Sequence, residues 1–348
     1  MMQIRHALVT VRWPESLRGE LVQRLGAAQV TLADPGGNAA REALRDADVA
    51  ILNGNPDSHV LGAPCLRWVH CDHAGIDGFA PPELLDGRFI VTTSAGRSAS
   101  AVAEHALHFM LALSHDAPRL WRAQQRRVWG LPGLENRRSL QGRTLVIVGC
   151  GHTGSQLARY CRTMGMHVVG YRRRVAPVPA GFDEVYAADA GDRLSPLLQR
   201  AQVLVLAASL NDASRDLIGP DEFAALPPGA FLVNVARGAL VDEHALLAAL
   251  KSGHLGGAGL DVVAMEPLPP TSPLWNAPRT LITPHATPRV ADRDQASLEI
   301  IGNLIHQYRR GEPLTGALDM RDVYSSPQRP SPLQRRLARF WARWASPS

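Results

Sequence analysis

At 348 residues, 45% of them hydrophobic and 20% charged, the chain has the composition of an ordinary globular protein with room for about two domains. A net charge of +5 is modest, and much of it sits in the last two dozen residues, so composition makes no case for nucleic-acid binding. Cys65, Cys71, Cys150 and Cys161 form no CxxC pair, which argues against disulfides and suits a reducing cytoplasm. No signal-peptide pattern opens the chain, and no apolar run approaches the ~18 residues that a membrane span needs.

In chain order, residues 7–11 read as a strand and 15–25 as a helix, with Leu17, Leu21, Val22 and Leu25 on one face. Strands follow at 30–32, 49–52, 68–71 and 89–92, with a short helix at 39–45. The strand at 49–52 runs into Asn53-Gly54-Asn55-Pro56, a turn signal, and that at 68–71 stops at Asp72-His73-Ala74-Gly75. This makes a small β/α unit, complete near residue 97. A long, mostly apolar helix spans 99–114 and carries His105 and His108 one turn apart, with no third metal ligand at a recognisable spacing. Residues 119–129 are arginine-rich, and Leu131-Pro132-Gly133 closes them off.

The stretch at 140–174 organises what comes next. An apolar run, Leu145 to Val148, ends in Gly149, and Gly149, Gly151 and Gly154 fit G-x-G-x-x-G. A helical pattern starts at His152-Thr153, Gly165 closes it, and a second apolar strand runs from His167 to Tyr171. Strand, tight turn, helix, strand is the opening unit of a dinucleotide-binding fold. Gly149 permits the turn, Gly151 admits a pyrophosphate close to the backbone, and Gly154 lets helix and strand pack. The helix N-terminus then offers unpaired N–H groups to the phosphates.

The end of the second strand bears on which nucleotide is bound. NAD-selective sites usually place an acid there to meet the ribose 2′-hydroxyl. Here Arg172 is followed by Arg173 and Arg174, with no acid until Asp183. Guanidinium groups pair with a 2′-phosphate, so the pattern favours NADP(H), with NAD(H) still open; the competing reading is a solvated basic turn.

Further strands are expected at 203–207, 231–235, 256–262 and 280–283, and helices at 220–226, 244–252 and 294–308. The last helix is expected to return to the first unit, so that the nucleotide-binding part is an insertion. Three stretches lie just past strand ends: Asn234-Val235-Ala236-Arg237-Gly238, Asp261 to Pro267, and Thr283-Pro284-His285-Ala286. That edge of an open α/β sheet is where ligands bind. Beside a nicotinamide, Arg237 suits a carboxylate or a polarised ketone and His285 suits proton delivery. Glu266 hydrogen-bonded to His285 favours the imidazolium.

These stretches closely resemble the D-isomer-specific 2-hydroxyacid dehydrogenases over roughly residues 45–320. The resemblance implies two lobes with the active site in their cleft and Arg237, Glu266 and His285 as the catalytic triad. It implies that Asp261 binds the nicotinamide carboxamide, helped by backbone at Ala236, and that backbone at Ala74 and Gly75 holds the substrate carboxylate. Ser98 corresponds to a polar residue facing substrate or nicotinamide. It also implies a homodimer built through the nucleotide domains, and a small 2-oxoacid as substrate, glyoxylate or hydroxypyruvate by default. A dinucleotide-sensing binding protein of corepressor type is the alternative from another class, since such proteins share the fold and can retain the triad.

The expected fold is therefore α/β with two Rossmann-like or flavodoxin-like lobes. Residues 1–97 and 287–324 form the substrate-binding domain and 98–286 the NAD(P)-binding domain. Two departures from the family pattern stand out. His73 replaces the usual glycine beside Asp72 on the substrate side, which suits a polar or acidic substrate or marks a loop histidine. Thr93 and Ala95 replace the usual Asn and Pro at the hinge. A metal site from His70, Cys71, Asp72 and His73 is disfavoured, because neighbours on a strand point to opposite faces. Residues 325–348 read as a Pro/Ser linker and a basic amphipathic helix carrying Trp341 and Trp344, suited to docking on its own subunit or to a membrane surface.

Overall fold

A computed structural model of the chain describes residues 2–75, 84, 87–137 and 139–319. The expected tail helix and residues Ile76 and Asp77 lie outside the described residues. The chain divides into two compact units, the first running to Ser98 and resuming at Arg289, the second spanning Ala99–Pro288. The second is thus an insertion in the first.

The first unit holds β1 (His6–Val9), α1 (Glu15–Leu25), β2 (Gln29–Leu32), α2 (Asn38–Ala43), β3 (Val49–Leu52), α3 (Ser58–Leu61), β4 (Trp68–Cys71) and β5 (Ile90–Thr93). Its five parallel strands run in the order β2-β1-β3-β4-β5, the flavodoxin-like arrangement. Strand residues alternate between two cores. Val9, Ile51 and Trp68 join one, while Leu8, Leu52 and Val69 join the other. Because both faces are covered, the strands read as continuous apolar runs rather than alternating ones.

The second unit holds α4 (Ala99–Ser114), α5 (Ala117–Gln125), β6 (Thr144–Val148), α6 (His152–Thr163), β7 (His167–Arg172), β8 (Glu184–Ala187) and α7 (Ser195–Leu198). It continues with β9 (Val203–Leu206), α8 (Pro220–Ala225), β10 (Ala230–Asn234), α9 (Glu243–Lys251), β11 (Leu255–Leu260) and β12 (Thr280–Ile282). All seven strands are parallel, in the order β12-β11-β10-β9-β6-β7-β8. Counted from β6, that is the dinucleotide-binding order with a seventh strand added at one edge. Helix α10 (Arg293–Arg310) belongs to the first unit, packs along α1, and stacks Tyr308 on Trp68 with ring centroids 5.4 Å apart.

Four elements were not foreseen: α3, α5, β8 and α7. Strand β8, Glu-Val-Tyr-Ala, sits at the sheet edge with three of its four residues only half-buried. It therefore lacks the dense apolar signal of central strands. The first part of the arginine-rich stretch is helical, within α5, which ends at Gln125.

Candidate active site

At the end of β6 the chain turns through Gly149, whose φ of +105° is open to glycine and strained for other residues. A Cβ on Gly154 would lie 1.9 Å from the Gly149 carbonyl oxygen, so the turn and α6 approach as closely as two glycines allow. No side chain caps α6. The N–H groups of His152, Thr153 and Gly154 precede its first helical hydrogen bond, from Ser155 N–H to the Gly151 carbonyl at 2.9 Å. A Cβ at Gly151 would meet nothing within 4 Å. A turn with open space above it and uncapped donors at a helix start fits a diphosphate. Cys150 is no nucleophile, since burial pushes its thiol up to about 12.

Strand β7 ends in Arg172, and no acidic residue follows it in the chain before Asp183. Asp183, the first acid after the arginines, is paired with Arg162 and His167 and accepts from Val168 N–H at 2.8 Å. Arg172 donates to the carbonyls of Ala176 and Pro177, so its fork already braces the loop that follows.

Past β10, the buried Asn234 side chain accepts from Ala236 N–H at 3.0 Å and donates to the Arg237 carbonyl at 2.9 Å. These bonds shape the turn that presents Arg237, whose guanidinium also donates to the Ala236 carbonyl at 2.7 Å. A Cβ on Gly238 would fall 1.9 Å from the Val263 carbonyl carbon, so glycine alone lets this turn touch the loop past β11. That loop carries Glu266, which accepts from Val263 N–H through Oε1. Its Oε2 lies 2.8 Å from Nδ1 of His285. The Glu266 hydrogen bond raises the His285 pKa; partial burial and the Arg237 charge pull the other way, and the rise wins. Arg237, Glu266 and His285 follow the neighbouring parallel strands β10, β11 and β12, so the three expected residues lie at one edge of the sheet.

Asp261 is almost fully buried. Its carboxylate accepts from the Thr283 and Thr287 hydroxyls, both at 2.6 Å, and from the N–H groups of Ala286 and Thr287 at 3.0 and 3.3 Å. Its carbonyl accepts from His285 N–H at 2.8 Å. Asp261 thus holds the whole 283–287 loop, including His285 at φ +50°. Thr283, Thr287 and Asn234 carried no sequence expectation of a role. Asn234 at the end of the buried strand β10 and Thr283 directly after β12 could have been singled out as polar groups in need of a partner; nothing local marks Thr287. Among the described residues no three His, Cys, Asp or Glu side chains stand together as a metal site.

In the first unit, Asp72 follows β4, and its carboxylate is turned into the protein. It is buried, and accepts from Arg97 and Ser297 at 2.6 Å, Trp13 at 2.8 Å and Ser94 at 2.9 Å. Burial alone would raise its pKa, but Arg97 with the Ser297, Trp13 and Ser94 hydrogen bonds outweighs burial and holds it below the ordinary value. Arg97 also donates to the Asp72 carbonyl at 2.8 Å, fastening the start of the 73–75 loop. His70 bonds Thr92 and Ser94, both at 2.9 Å, and burial lowers its pKa to about 4. Its ring is spent on this network, whose donors converge on Asp72. Ser98 is buried at the end of the unit, and His73, Ala74 and Gly75 form the loop between.

A dinucleotide-type sheet with an arginine and a glutamate-backed histidine beyond its strand ends defines an NAD(P)-dependent dehydrogenase. The family described as "D-isomer specific 2-hydroxyacid dehydrogenase, NAD binding domain" matches residues 107–287, and the chain belongs to the D-isomer-specific 2-hydroxyacid dehydrogenases. It is 30% identical to glyoxylate reductase of Korarchaeum cryptofilum over 289 residues, 80% of this chain and 85% of that one. It is 34% identical to (S)-sulfolactate dehydrogenase of Chromohalobacter salexigens over 226 residues, 64% of this chain and 71% of that one. A crystal structure of a D-isomer specific 2-hydroxyacid dehydrogenase from Xanthobacter autotrophicus Py2, in complex with NADPH and MES, superposes with a TM-score of 0.76 at 28% identity, covering 91% of this chain and 98% of that one.

Proposed function

We propose that the protein reduces a small 2-oxoacid to the D-2-hydroxyacid with NADPH, His285 acting as the acid and Arg237 holding the carboxylate. The observation that carries this reading is the His285–Glu266 pair beside Arg237. Glu266 occupies Nδ1, which leaves Nε2 to give its proton to the carbonyl oxygen. The nicotinamide, when bound, supplies the hydride at C4. Arg237 fixes the carboxylate and draws charge from the neighbouring carbonyl, and Ala74, Gly75 and Ser98 are the proposed further substrate contacts.

The N-terminus of α6 with Gly149, Gly151, His152, Thr153 and Gly154 is the proposed diphosphate cradle. Ala236 and Asp261 are the proposed contacts of the nicotinamide carboxamide, although Asp261 already receives four donors. Arg172 and Arg173 are the proposed 2′-phosphate contacts. The Xanthobacter relative is in complex with NADPH, which supports the same cofactor here. In this reading the second unit is the cofactor domain and the first the substrate domain, and the active form is a dimer.

The test is NADPH oxidation with glyoxylate, hydroxypyruvate and 3-sulfopyruvate, the first and last suggested by the acids that name two relatives. Turnover that disappears in His285→Ala, with NADPH binding retained, supports the reading. Tight NADPH binding with no turnover on any 2-oxoacid overturns it in favour of a dinucleotide sensor.

A further inference from the structure

The catalytic reading leaves one feature unused. His105 stands on α4, far from the triad in sequence, yet its Nε2 lies 3.1 Å from the Thr283 hydroxyl. Helix α4 reaches that position because β11 offers it almost no side chains. A Cβ on Gly259 would fall 2.5 Å from Cγ of Phe109, so α4 lies flush on the strand, and His105 packs edge-on against Phe109 at 4.6 Å between ring centroids. One turn nearer the helix start than Phe109, His105 meets the loop beyond β12.

Proton directions follow from the acceptors. The Thr283 hydroxyl donates its single proton to the Asp261 carboxylate at 2.6 Å. The Thr283 oxygen then accepts from His105, which carries its proton on Nε2. Burial lowers the His105 pKa, against the pull of Asp261. A directed chain, His105 to Thr283 to Asp261, therefore ends on the carboxylate that receives two N–H groups and a hydroxyl from the loop around His285.

We infer that Thr283 and His105 are positioning residues for the reaction: through Asp261 they hold the loop so that the His285 imidazole keeps one place and one orientation against Glu266. This rests on the reading of His285 as the acid. His285 sits at φ +50°, in a region that a histidine seldom occupies unless its surroundings impose it. Asp261 imposes it from two sides, with its carbonyl on His285 N–H and its carboxylate on the two residues after. Thr283 sets the rotation of that carboxylate, and His105 sets the rotation of the Thr283 hydroxyl.

The experiment compares Thr283→Val, Thr283→Ser, His105→Phe and His105→Gln in the full chain, with His285→Ala alongside. Valine keeps the shape of threonine and removes both hydrogen bonds; serine restores them. Phenylalanine keeps the ring against Phe109 without the donor; glutamine restores a donor. Thr283→Val is expected to lower kcat for 2-oxoacid reduction about tenfold and to move the alkaline limb of the pH profile, while the NADPH Kd stays within about twofold. Serine is expected to recover most of the loss. His105→Phe, one neutral hydrogen bond further out, is expected to lower kcat about threefold, with recovery in His105→Gln.

Unchanged kcat in both Thr283→Val and His105→Phe overturns the inference. So does a loss of kcat that tracks a loss of NADPH binding with the pH limb unmoved, which is plain structural damage. If Thr283→Val fails to fold, the His105 pair decides alone. Turnover surviving in His285→Ala instead removes the acid assignment, and the inference with it, which separates the two failures.

Discussion

Glu266 Oε2 and His285 Nδ1 are 2.8 Å apart, and that contact fixes both the free nitrogen and the charge of the imidazole. The hydrogen bond to Glu266 raises the His285 pKa above its usual value. With His285 as the proposed acid in ketone reduction, the protonated ring is the active form, and the rate is expected to fall as pH rises through that raised pKa. Glu266→Gln removes the charge and keeps the shape. The expected outcome is an alkaline limb shifted to lower pH, with the rate at slightly alkaline pH reduced by about a hundredfold, the low end of what a general acid contributes. A pH profile of kcat/KM for variant and parent checks it. An unmoved limb removes Glu266 from control of the proton.

Gly238 carries the other half of this geometry. Its missing side chain lets the Arg237 turn rest on the Val263 carbonyl, where a Cβ would fall at 1.9 Å. Backbone is met there, not a side chain that swings aside, so Gly238→Ala has to push the two loops apart. Overpacking of this kind costs about 1–3 kcal/mol, which lowers Tm by several degrees in a domain of this size. Catalysis is expected to suffer more than stability, because Arg237 moves away from His285. Calorimetry and steady-state kinetics on the same preparation test this. A variant with lowered Tm and full kcat would show that the contact is structural alone.

Much of this was legible in the chain. The strands that became β6, β9 and β10 are apolar on both faces, because each faces a helix-covered core on either side. Such runs stand out without any model of tertiary structure. Arg237, Glu266 and His285 stand out for a related reason, as charged or titratable residues in the loops that follow strands β10, β11 and β12. Edge strand β8 and the short helices α3 and α7 were missed, since little apolar surface marks them. The role of Asp72 was not legible, for a deeper reason. Sequence order puts it beside the substrate loop, but its partners Trp13, Ser94 with Arg97, and Ser297 come from three other parts of the chain. Nothing local announces that they converge. His105 is the same case, its partner Thr283 lying 178 residues away.

The Asp72–Arg97 pair makes a prediction of its own about stability. Both side chains are at least nine-tenths buried, and the carboxyl is held below its ordinary pKa. A depressed carboxyl contributes stability that is present above its unfolded pKa and lost as pH falls through the folded one. Removing Arg97 leaves the carboxylate buried without its charge partner, where burial now raises the pKa. Arg97→Met is expected to destabilise the first unit by about 3–5 kcal/mol near neutral pH, the usual cost of breaking a buried pair. It should also move acid unfolding toward neutral pH. Urea titrations across pH 3–8 measure both. Equal loss of stability at every pH would mean that packing, not the charge, is what Arg97 provides.

Cofactor selectivity is the sharpest test of the arginines after β7. Arg172 already spends its fork on the carbonyls of Ala176 and Pro177, so contact with a 2′-phosphate requires it to trade at least one of them. Charge-assisted hydrogen bonds to phosphate exceed those to a neutral carbonyl, so the trade is favourable. Arg172→Asp both loses the cation and places an anion where the phosphate would lie, and it supplies the carboxylate that NAD-selective sites use on the ribose. The ratio of kcat/KM for NADPH to that for NADH is expected to fall about a hundredfold, and about tenfold in Arg173→Ser, which removes charge without adding the opposite one. Kinetics with both cofactors at fixed 2-oxoacid give the ratio directly. If Arg172→Asp lowers both values equally, Arg172 serves only to close its loop. If Arg173→Ser then leaves the ratio where it was, neither arginine reads the phosphate, and the run after Tyr171 is a solvated turn.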